Sequence, residues 1–321
     1  MAERAEHDSL IAHLGHVELL APDAAATVAF FTDVLGMTQV AQRGQSAYLR
    51  GWRDYERYSL KVTESSAPGL GHVAFRTTSS QALDVAVRGL IDAGFEASWT
   101  DGDEGQGAGC VIRNADGHAF ELYFESERYV APAGDGSVYR NQAARSTARG
   151  AAVERIDHLN LASADVRASR EFARRHLRFR LSEQLLAPDG SELGAWMRVT
   201  SKAYDLTYIA DPAGARDRLH HVAFRVESRE EVLRAADILT EHGCFIELGP
   251  AKHDIGGTFF VYAYEPSGNR IEVCAGGYLI FAPDWEPVVW TLAPGERFQA
   301  WNTPIVESFF AYATPDVSGI G

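Results

Sequence analysis

The stretch Leu70-Gly71-His72-Val73-Ala74-Phe75-Arg76 returns further along the chain as Leu219-His220-His221-Val222-Ala223-Phe224-Arg225. Working outward, two more pairs emerge. His13-Leu14-Gly15-His16-Val17-Glu18-Leu19-Leu20, followed by Phe30-Phe31 and Leu35, matches Ile156-Asp157-His158-Leu159-Asn160-Leu161, followed by Phe172 and Leu177. The segment 115–122, which ends Glu121-Leu122, matches 266–273, which ends Glu272-Val273. The pairs His16/His158, His72/His221 and Glu121/Glu272 stand 142, 149 and 151 residues apart, the near-constant offset of a tandem duplication with small loop insertions.

Each copy reads as α+β. Residues 17–20 and 159–162 are short apolar strands, and 24–35 and 166–177 carry apolar residues at helical spacing behind Asp23 and Asp165, which suit N-caps. After the Val-Ala-Phe-Arg strands, 80–94 and 229–243 read as second amphipathic helices stopped by Gly94 and Gly243. Residues 259–264 and 270–273 flank a tight turn and read as a hairpin. The expected division is 1–131, a Gly/Ser/Arg-bearing linker at 132–150, a second unit at 151–281, and a tail at 282–321.

With 46% hydrophobic and 23% charged residues, the 321-residue chain has a globular composition and is long enough for a sizeable core in each copy. Thirty basic residues against 44 acidic ones leave a net charge of −14, which repels nucleic-acid phosphates and anionic lipid, so neither is expected as a partner. Cys110, Cys244 and Cys274 show no CxxC spacing, which indicates neither a disulfide framework nor a thiolate metal site. No leader pattern and no run of about 18 apolar residues is present, and a cytoplasmic location is expected.

His158, His221 and Glu272 each lie in a strand among apolar neighbours, 63 and 51 residues apart, so only the fold can bring them together. Two neutral imidazoles and one carboxylate form the facial set that suits non-haem Fe(II) and leaves positions open for substrate and dioxygen. A lone strand histidine is ordinarily a satisfied core or surface residue. Three such residues repeated at corresponding places, one of them a carboxylate that is costly to bury without a cation or donor, point instead to a metal.

Downstream of these strands come Gly249-Pro250-Ala251-Lys252-His253, Tyr262 nine residues later, and Glu265-Pro266-Ser267-Gly268-Asn269-Arg270-Ile271-Glu272. The tail adds Ala282-Pro283-Asp284-Trp285-Glu286-Pro287, Glu307-Ser308-Phe309-Phe310 and Thr314-Pro315. From His13 to about Pro315 the chain resembles the type I extradiol ring-cleavage dioxygenases of the vicinal oxygen chelate superfamily, and among them the catechol 2,3-dioxygenases.

The resemblance implies two tandem vicinal-oxygen-chelate domains, each of two βαβββ modules forming an incomplete barrel, with catalysis in the C-terminal one. It implies cleavage of catechol or a substituted catechol beside its hydroxyls, with both atoms of O2 entering a 2-hydroxymuconic semialdehyde-type product. Carried over residue by residue, His158, His221 and Glu272 match the metal ligands, Fe(II) ahead of Mn(II), with O2 as co-substrate. His253 matches the acid/base and Tyr262 the phenol that hydrogen-bonds the substrate oxygen. An imidazole with an ordinary pKa of about 6.5 can pass protons at neutral pH. A homo-oligomer, with a tetramer favoured, is likewise implied only by the resemblance.

One position departs from the family pattern. Where most relatives carry a histidine beside the dioxygen site, this chain has Tyr204, within Trp196 to Asp205. A phenol with a pKa of about 10 donates a hydrogen bond but is a poor proton acceptor at pH 7, so Tyr204 is either a donor on the oxygen side or a wall aromatic.

The N-terminal copy repeats the triad as His16, His72 and Glu121, but has Val111 where Tyr262 stands and Gly102 where His253 stands. Without an acid/base it reads as a relic, the alternative being a structural metal. Cys274 reads as a core thiol, and His176 and His242 as surface residues. Leu248 stands where relatives that bind a carboxylate can have arginine, which favours a neutral catechol. The tail aromatics Trp285, Trp290, Trp301, Phe309 and Phe310 suit a cover over the site mouth or a cap on the core. Two rival readings use the same scaffold: a metal-dependent isomerase or epimerase, and a non-catalytic small-molecule binder. His253 and Tyr262 argue against the binder, which needs no acid/base.

Overall fold

The computed structural model describes residues 9–146, 148–292 and 299–317. The first copy runs β1 (Ile11–Ala21), α1 (Ala24–Ala29), β2 (Thr38–Arg43), β3 (Ser46–Arg50), β4 (Leu60–Glu64), β5 (Gly69–Thr77), α2 (Ser80–Asp92), β6 (Ala97–Thr100), β7 (Gly109–Arg113) and β8 (Ala119–Tyr123). The second runs β9 (Arg155–Ser163), α3 (Val166–His176), β10 (Arg180–Leu186), β11 (Glu192–Arg198), β12 (Leu206–Ala210), β13 (Arg218–Arg225), α4 (Arg229–Glu241), β14 (Ile246–Lys252), β15 (Thr258–Tyr264) and β16 (Arg270–Gly276). The tail adds β17 (Val288–Thr291) and α5 (Glu307–Ala311).

The strand orders are β2-β3-β4-β1-β5-β8-β7-β6 and β14-β15-β16-β13-β9-β12-β11-β10-β17, so each sheet is two βαβββ modules joined through their first strands. In the second copy these first strands, β9 and β13, are central and buried on both faces, so their apolar residues do not alternate with exposed ones. The four longer helices cover the sheets from outside, opened by side-chain caps from Asp23, Ser79, Asp165 and Ser228. Gly94 and Gly243, at φ +89° and +70°, follow α2 and α4 in the left-handed conformation that ends a helix.

The helix expected over 24–35 closes instead with a π turn at Phe30–Val34, where Leu35 N–H donates to the Phe30 carbonyl. The wider turn lets the adjacent Phe30 and Phe31 both face the core.

The copies clasp one another reciprocally. Asp116, in the β7–β8 turn, accepts hydrogen bonds from Ser163 Oγ and from the Ala164 amide at 3.0 Å, where β9 enters α3. The equivalent β15–β16 turn binds the first copy: Glu265 accepts from Thr27 Oγ1, and Asn269 Nδ2 donates to the Leu20 carbonyl at 3.0 Å. Phe31 against Phe224 and Phe75 against Phe179 repeat the symmetry in the apolar layer, which is continuous through both copies. Among the described residues, no helix is long and apolar enough to cross a membrane.

Candidate active site

The register of three strands builds the site. Ala223 of β13 pairs with His158 on antiparallel β9 and with Glu272 on parallel β16. His221, two residues before Ala223, points to the same face because side chains alternate along a strand. The three side chains therefore converge, with His158 Nε2 and His221 Nε2 3.3 Å apart and each 3.1 Å from Glu272 Oε2. Neither oxygen of this buried carboxylate has a hydrogen-bond partner in the structure. Burial alone would raise its pKa, but His158 and His221 outweigh burial and hold it far below the usual carboxylate range. An anionic carboxylate without hydrogen bonds, facing two imidazole nitrogens, fits a divalent metal with an N2O donor set.

The nitrogens that face away are oriented by further partners. Asp157 Oδ1 accepts from His158 Nδ1 at 3.0 Å, and Asp157 is itself supported by Lys202 and Arg225. On the other ligand, His220 Nε2 is 2.6 Å from the Phe309 carbonyl, and His220 Nδ1 is 2.7 Å from His221 Nδ1. A carbonyl only accepts, so His220 must donate at Nε2. Burial and the nearby Arg270 push its pKa well down, so the ring is neutral and accepts at Nδ1. His221 must then carry its proton on Nδ1, which leaves the Nε2 lone pair directed at His158 Nε2 and Glu272 Oε2.

Above the triad lies a cavity of about 460 Å³. His158 and His221 form its polar floor, and Leu185, Trp196, Ile209, Ile255, Phe309 and Phe310 contribute apolar wall. Residues from β10, β11, β12 and β15 face the same space, as a sheet curled around it requires. His253 and Tyr262 are brought together there, His253 Nε2 lying 2.9 Å from the Tyr262 hydroxyl while its ring stacks on Phe260. Burial lowers the His253 pKa to about 4, against the opposing pull of Glu272, so the imidazole is neutral at physiological pH. Tyr262 pairs across the sheet with Glu272, and burial pushes its hydroxyl well above the usual range.

Tyr204 packs edge-on against the His158 ring, with centroids 4.6 Å apart, and its hydroxyl lies 3.0 Å from Thr258 Oγ1. Asn160 and Gln299 also line the cavity, each with a buried side-chain oxygen lacking a hydrogen-bond partner. Neither residue emerges from the sequence reading, although Asn160 carried a signal, standing two residues after His158 and so on the same strand face.

The remaining residues fall as follows. Leu248 lies behind the cavity wall, packed with Phe260, Tyr262 and Phe309. Cys274 is buried and its thiol is pushed well up by burial, so it stays protonated. His242 is exposed, but His176, expected at the surface, is half-buried between Phe95 and Phe172 because the end of α3 meets the first copy. In the tail, Trp290 Nε1 donates to Glu183 at 2.6 Å and Trp285 Nε1 to the Ser182 carbonyl at 3.2 Å, beside β10, whereas Trp301 is exposed against Phe259. The N-terminal triad is also assembled, with His16 Nε2 and His72 Nε2 2.9 Å apart and Glu121 Oε2 within 3.5 Å of both.

The comparisons with known proteins agree with this architecture. The model of the glyoxalase/bleomycin resistance protein/dioxygenase superfamily matches residues 13–122 and again 155–273. A metapyrocatechase of Geobacillus stearothermophilus is 37% identical over 308 residues, covering 95% of this chain and 94% of its own. A manganese-dependent 2,3-dihydroxybiphenyl 1,2-dioxygenase of Geobacillus genomosp. 3 is 37% identical over 298 residues, covering 92% of this chain and 94% of its own. The crystal structure of the 2,3-dioxygenase LapB from Pseudomonas sp. KL28 superposes with a TM-score of 0.81 at 27% identity, over 88% of this chain and 98% of that one. The chain is thus a member of the glyoxalase/bleomycin resistance protein/dioxygenase superfamily and, within it, of the extradiol ring-cleaving dioxygenases.

Proposed function

We propose that the protein cleaves catechol, or a catechol bearing a neutral apolar substituent, beside its hydroxyls, giving a 2-hydroxymuconic semialdehyde-type product, at an Fe(II) ion held by His158, His221 and Glu272. The observation that carries this reading is the triad with its unpartnered carboxylate, whose two histidines floor an apolar cavity that also holds the His253–Tyr262 pair. Held by His158, His221 and Glu272, the metal would supply Lewis acidity and redox chemistry.

The chain's own residues supply the rest. Neutral His253 accepts a proton released from the catechol and returns it later in the cycle. The Tyr262 hydroxyl, protonated at any physiological pH, hydrogen-bonds a substrate oxygen and fixes the ring against His253. Tyr204 supplies a hydrogen-bond donor on the dioxygen side, with Thr258 setting its direction. The apolar wall excludes water and selects the ring. Anaerobic reconstitution of metal-free protein with Fe(II), and separately with Mn(II), followed by a catechol panel and oxygen, tests the reading. Stoichiometric oxygen uptake with a yellow product, fastest with Fe(II), is expected. Turnover without oxygen uptake would move the chain to isomerase or epimerase chemistry, preference for Mn(II) would overturn the metal assignment, and binding without turnover would leave only a binding protein.

A further inference from the structure

In the N-terminal copy Ala74 of β5 pairs with His16 on β1 and Glu121 on β8, and His72 lies two residues before it, the same register that builds the catalytic triad. Tyr58 occupies the place of Tyr204, with its ring centroid 4.7 Å from that of His16, where the Tyr204 and His158 rings are 4.6 Å apart. The remote nitrogen of His72 is also held: Glu18 Oε2 lies 2.8 Å from Nδ1. Glu18 lies close over Gly71, whose counterpart His220 orients His221 in the other copy, so a carboxylate from the next strand replaces that imidazole. A His72 that donates from Nδ1 to a carboxylate presents its Nε2 lone pair to His16 and Glu121, the arrangement usual behind metal-bound histidines.

The charge balance points the same way. Lys61 is already shared between Glu18, at 3.3 Å, and Asp103, at 2.8 Å, and the ion pairs of Glu121 are with the two imidazoles alone. What differs is access. The Tyr58 hydroxyl is 3.4 Å from His16 Nε2 and 3.3 Å from Gln106 Oε1, and the buried Gln106 has an amide nitrogen without a hydrogen-bond partner. Tyr58 and Gln106 pack on the His16 side and leave the His72 side chain about 15% exposed, whereas the catalytic copy opens onto its cavity.

We infer that His16, His72 and Glu121 hold a second divalent transition-metal ion, of zinc type, in a structural site. The relic reading rests on the missing acid/base, and a structural ion needs none. Two nitrogens, one carboxylate and a neutral phenol oxygen nearby match four-coordinate zinc better than a site with positions open for oxygen. The competing occupant is a proton on His72, which would supply one positive charge without any ion.

The inference does not depend on the proposed activity and is tested apart from it. In an H158A/E272A background, which dismantles the catalytic triad, metal-free full-length protein is titrated with Zn(II), and with Co(II) as a spectroscopic probe. One equivalent bound, with intense tetrahedral d–d absorption from Co(II) and a metal-dependent rise in melting temperature, is expected. Adding E121Q or, separately, H72Q should weaken Zn(II) binding by at least about a hundredfold, since loss of a ligand exceeds the effect of losing an orienting partner. Each variant is checked for native near-ultraviolet circular dichroism before titration, and the two together guard against one failing to fold. Absence of a bound equivalent, or uptake indifferent to both substitutions, would overturn the inference in favour of the protonated histidine.

Discussion

His220 donates through Nε2 to the Phe309 carbonyl at 2.6 Å, which ties the metal-facing His221 to helix α5 of the tail. The tail helix thereby fixes the tautomer of His221 through His220, while the Phe309 ring packs on Tyr262 at 5.0 Å. In H220L the Nδ1 proton of His221 loses its acceptor, so competition with a chelator should show metal affinity lowered by about 10–100-fold. H220Q, whose amide can both accept and donate, should recover most of the loss. Equal affinities for H220L and the parent chain would show that the chain of hydrogen bonds is incidental.

The triad was legible in the sequence because strand alternation and duplication both mark it, and Glu272 has little reason to be buried without a cation. His220 and Asp157 each stand beside a ligand, but neighbours on a strand point to opposite faces, so their orienting roles depend on how backbone and ring turn locally. Gln299 reaches the cavity from the tail, 27 residues beyond Glu272, with no periodicity to announce it. The reciprocal clasp through Asp116 and Glu265 was equally hidden, since turn composition says nothing about which distant strand end a turn will meet.

The cavity makes a prediction about substrates. Among the described residues lining it there is no Lys or Arg, and Asp211 is already held by Arg218 at 2.7 and 2.8 Å. A substrate carboxylate would be buried there without a charged partner, at considerable cost. A 4-alkylcatechol should therefore exceed 3,4-dihydroxyphenylacetate in kcat/KM by at least about tenfold, equivalent to about 1.4 kcal/mol. Comparable values for the two would mean that a cation reaches the substrate.

Stability should respond to pH through Glu56 of the first copy. Its buried carboxylate accepts from Tyr123 at 2.6 Å, Ser126 at 2.8 Å and Arg76 at 3.2 Å, and faces His13 Nε2 at 3.1 Å. Burial alone would raise its pKa, but these donors, His13 first, bring it from 4.5 to about 2. His13 moves the other way: burial opposes protonation, and the bond to Glu56 raises its pKa above 6.5. The carboxylate's contribution is complete above about 4.5 and is lost as pH falls toward about 2, while the imidazole's is complete below 6.5 and is lost as pH rises through its raised value. The pair is thus worth most between about 4.5 and 6.5, and E56Q should lower stability by about 3 kcal/mol there and flatten both limbs of a melting-temperature profile. A profile parallel to that of the parent chain would rule out this coupling.

Tyr204 and His253 should be separable by the size of their effects. The Tyr204 hydroxyl lies 3.0 Å from Thr258 Oγ1, and burial pushes its pKa well above 10, so it can offer a hydrogen bond but cannot shuttle protons near neutrality. One such bond is worth about 0.5–1.5 kcal/mol, so Y204F should slow the oxygen-dependent step by about tenfold at most. If Thr258 directs the hydroxyl, T258V should reproduce part of that loss without changing catechol affinity. H253A removes the group proposed to accept and return the proton and should cost about 10²–10⁴-fold, while Tyr262 loses its partner at 2.9 Å. Single-turnover kinetics with anaerobically loaded catechol, mixed with oxygen, reads both steps. Unchanged rates in Y204F would leave that tyrosine as wall. A larger loss in Y204F than in H253A would place the proton transfer on the dioxygen side, where the phenol, not the imidazole, faces the reacting atoms.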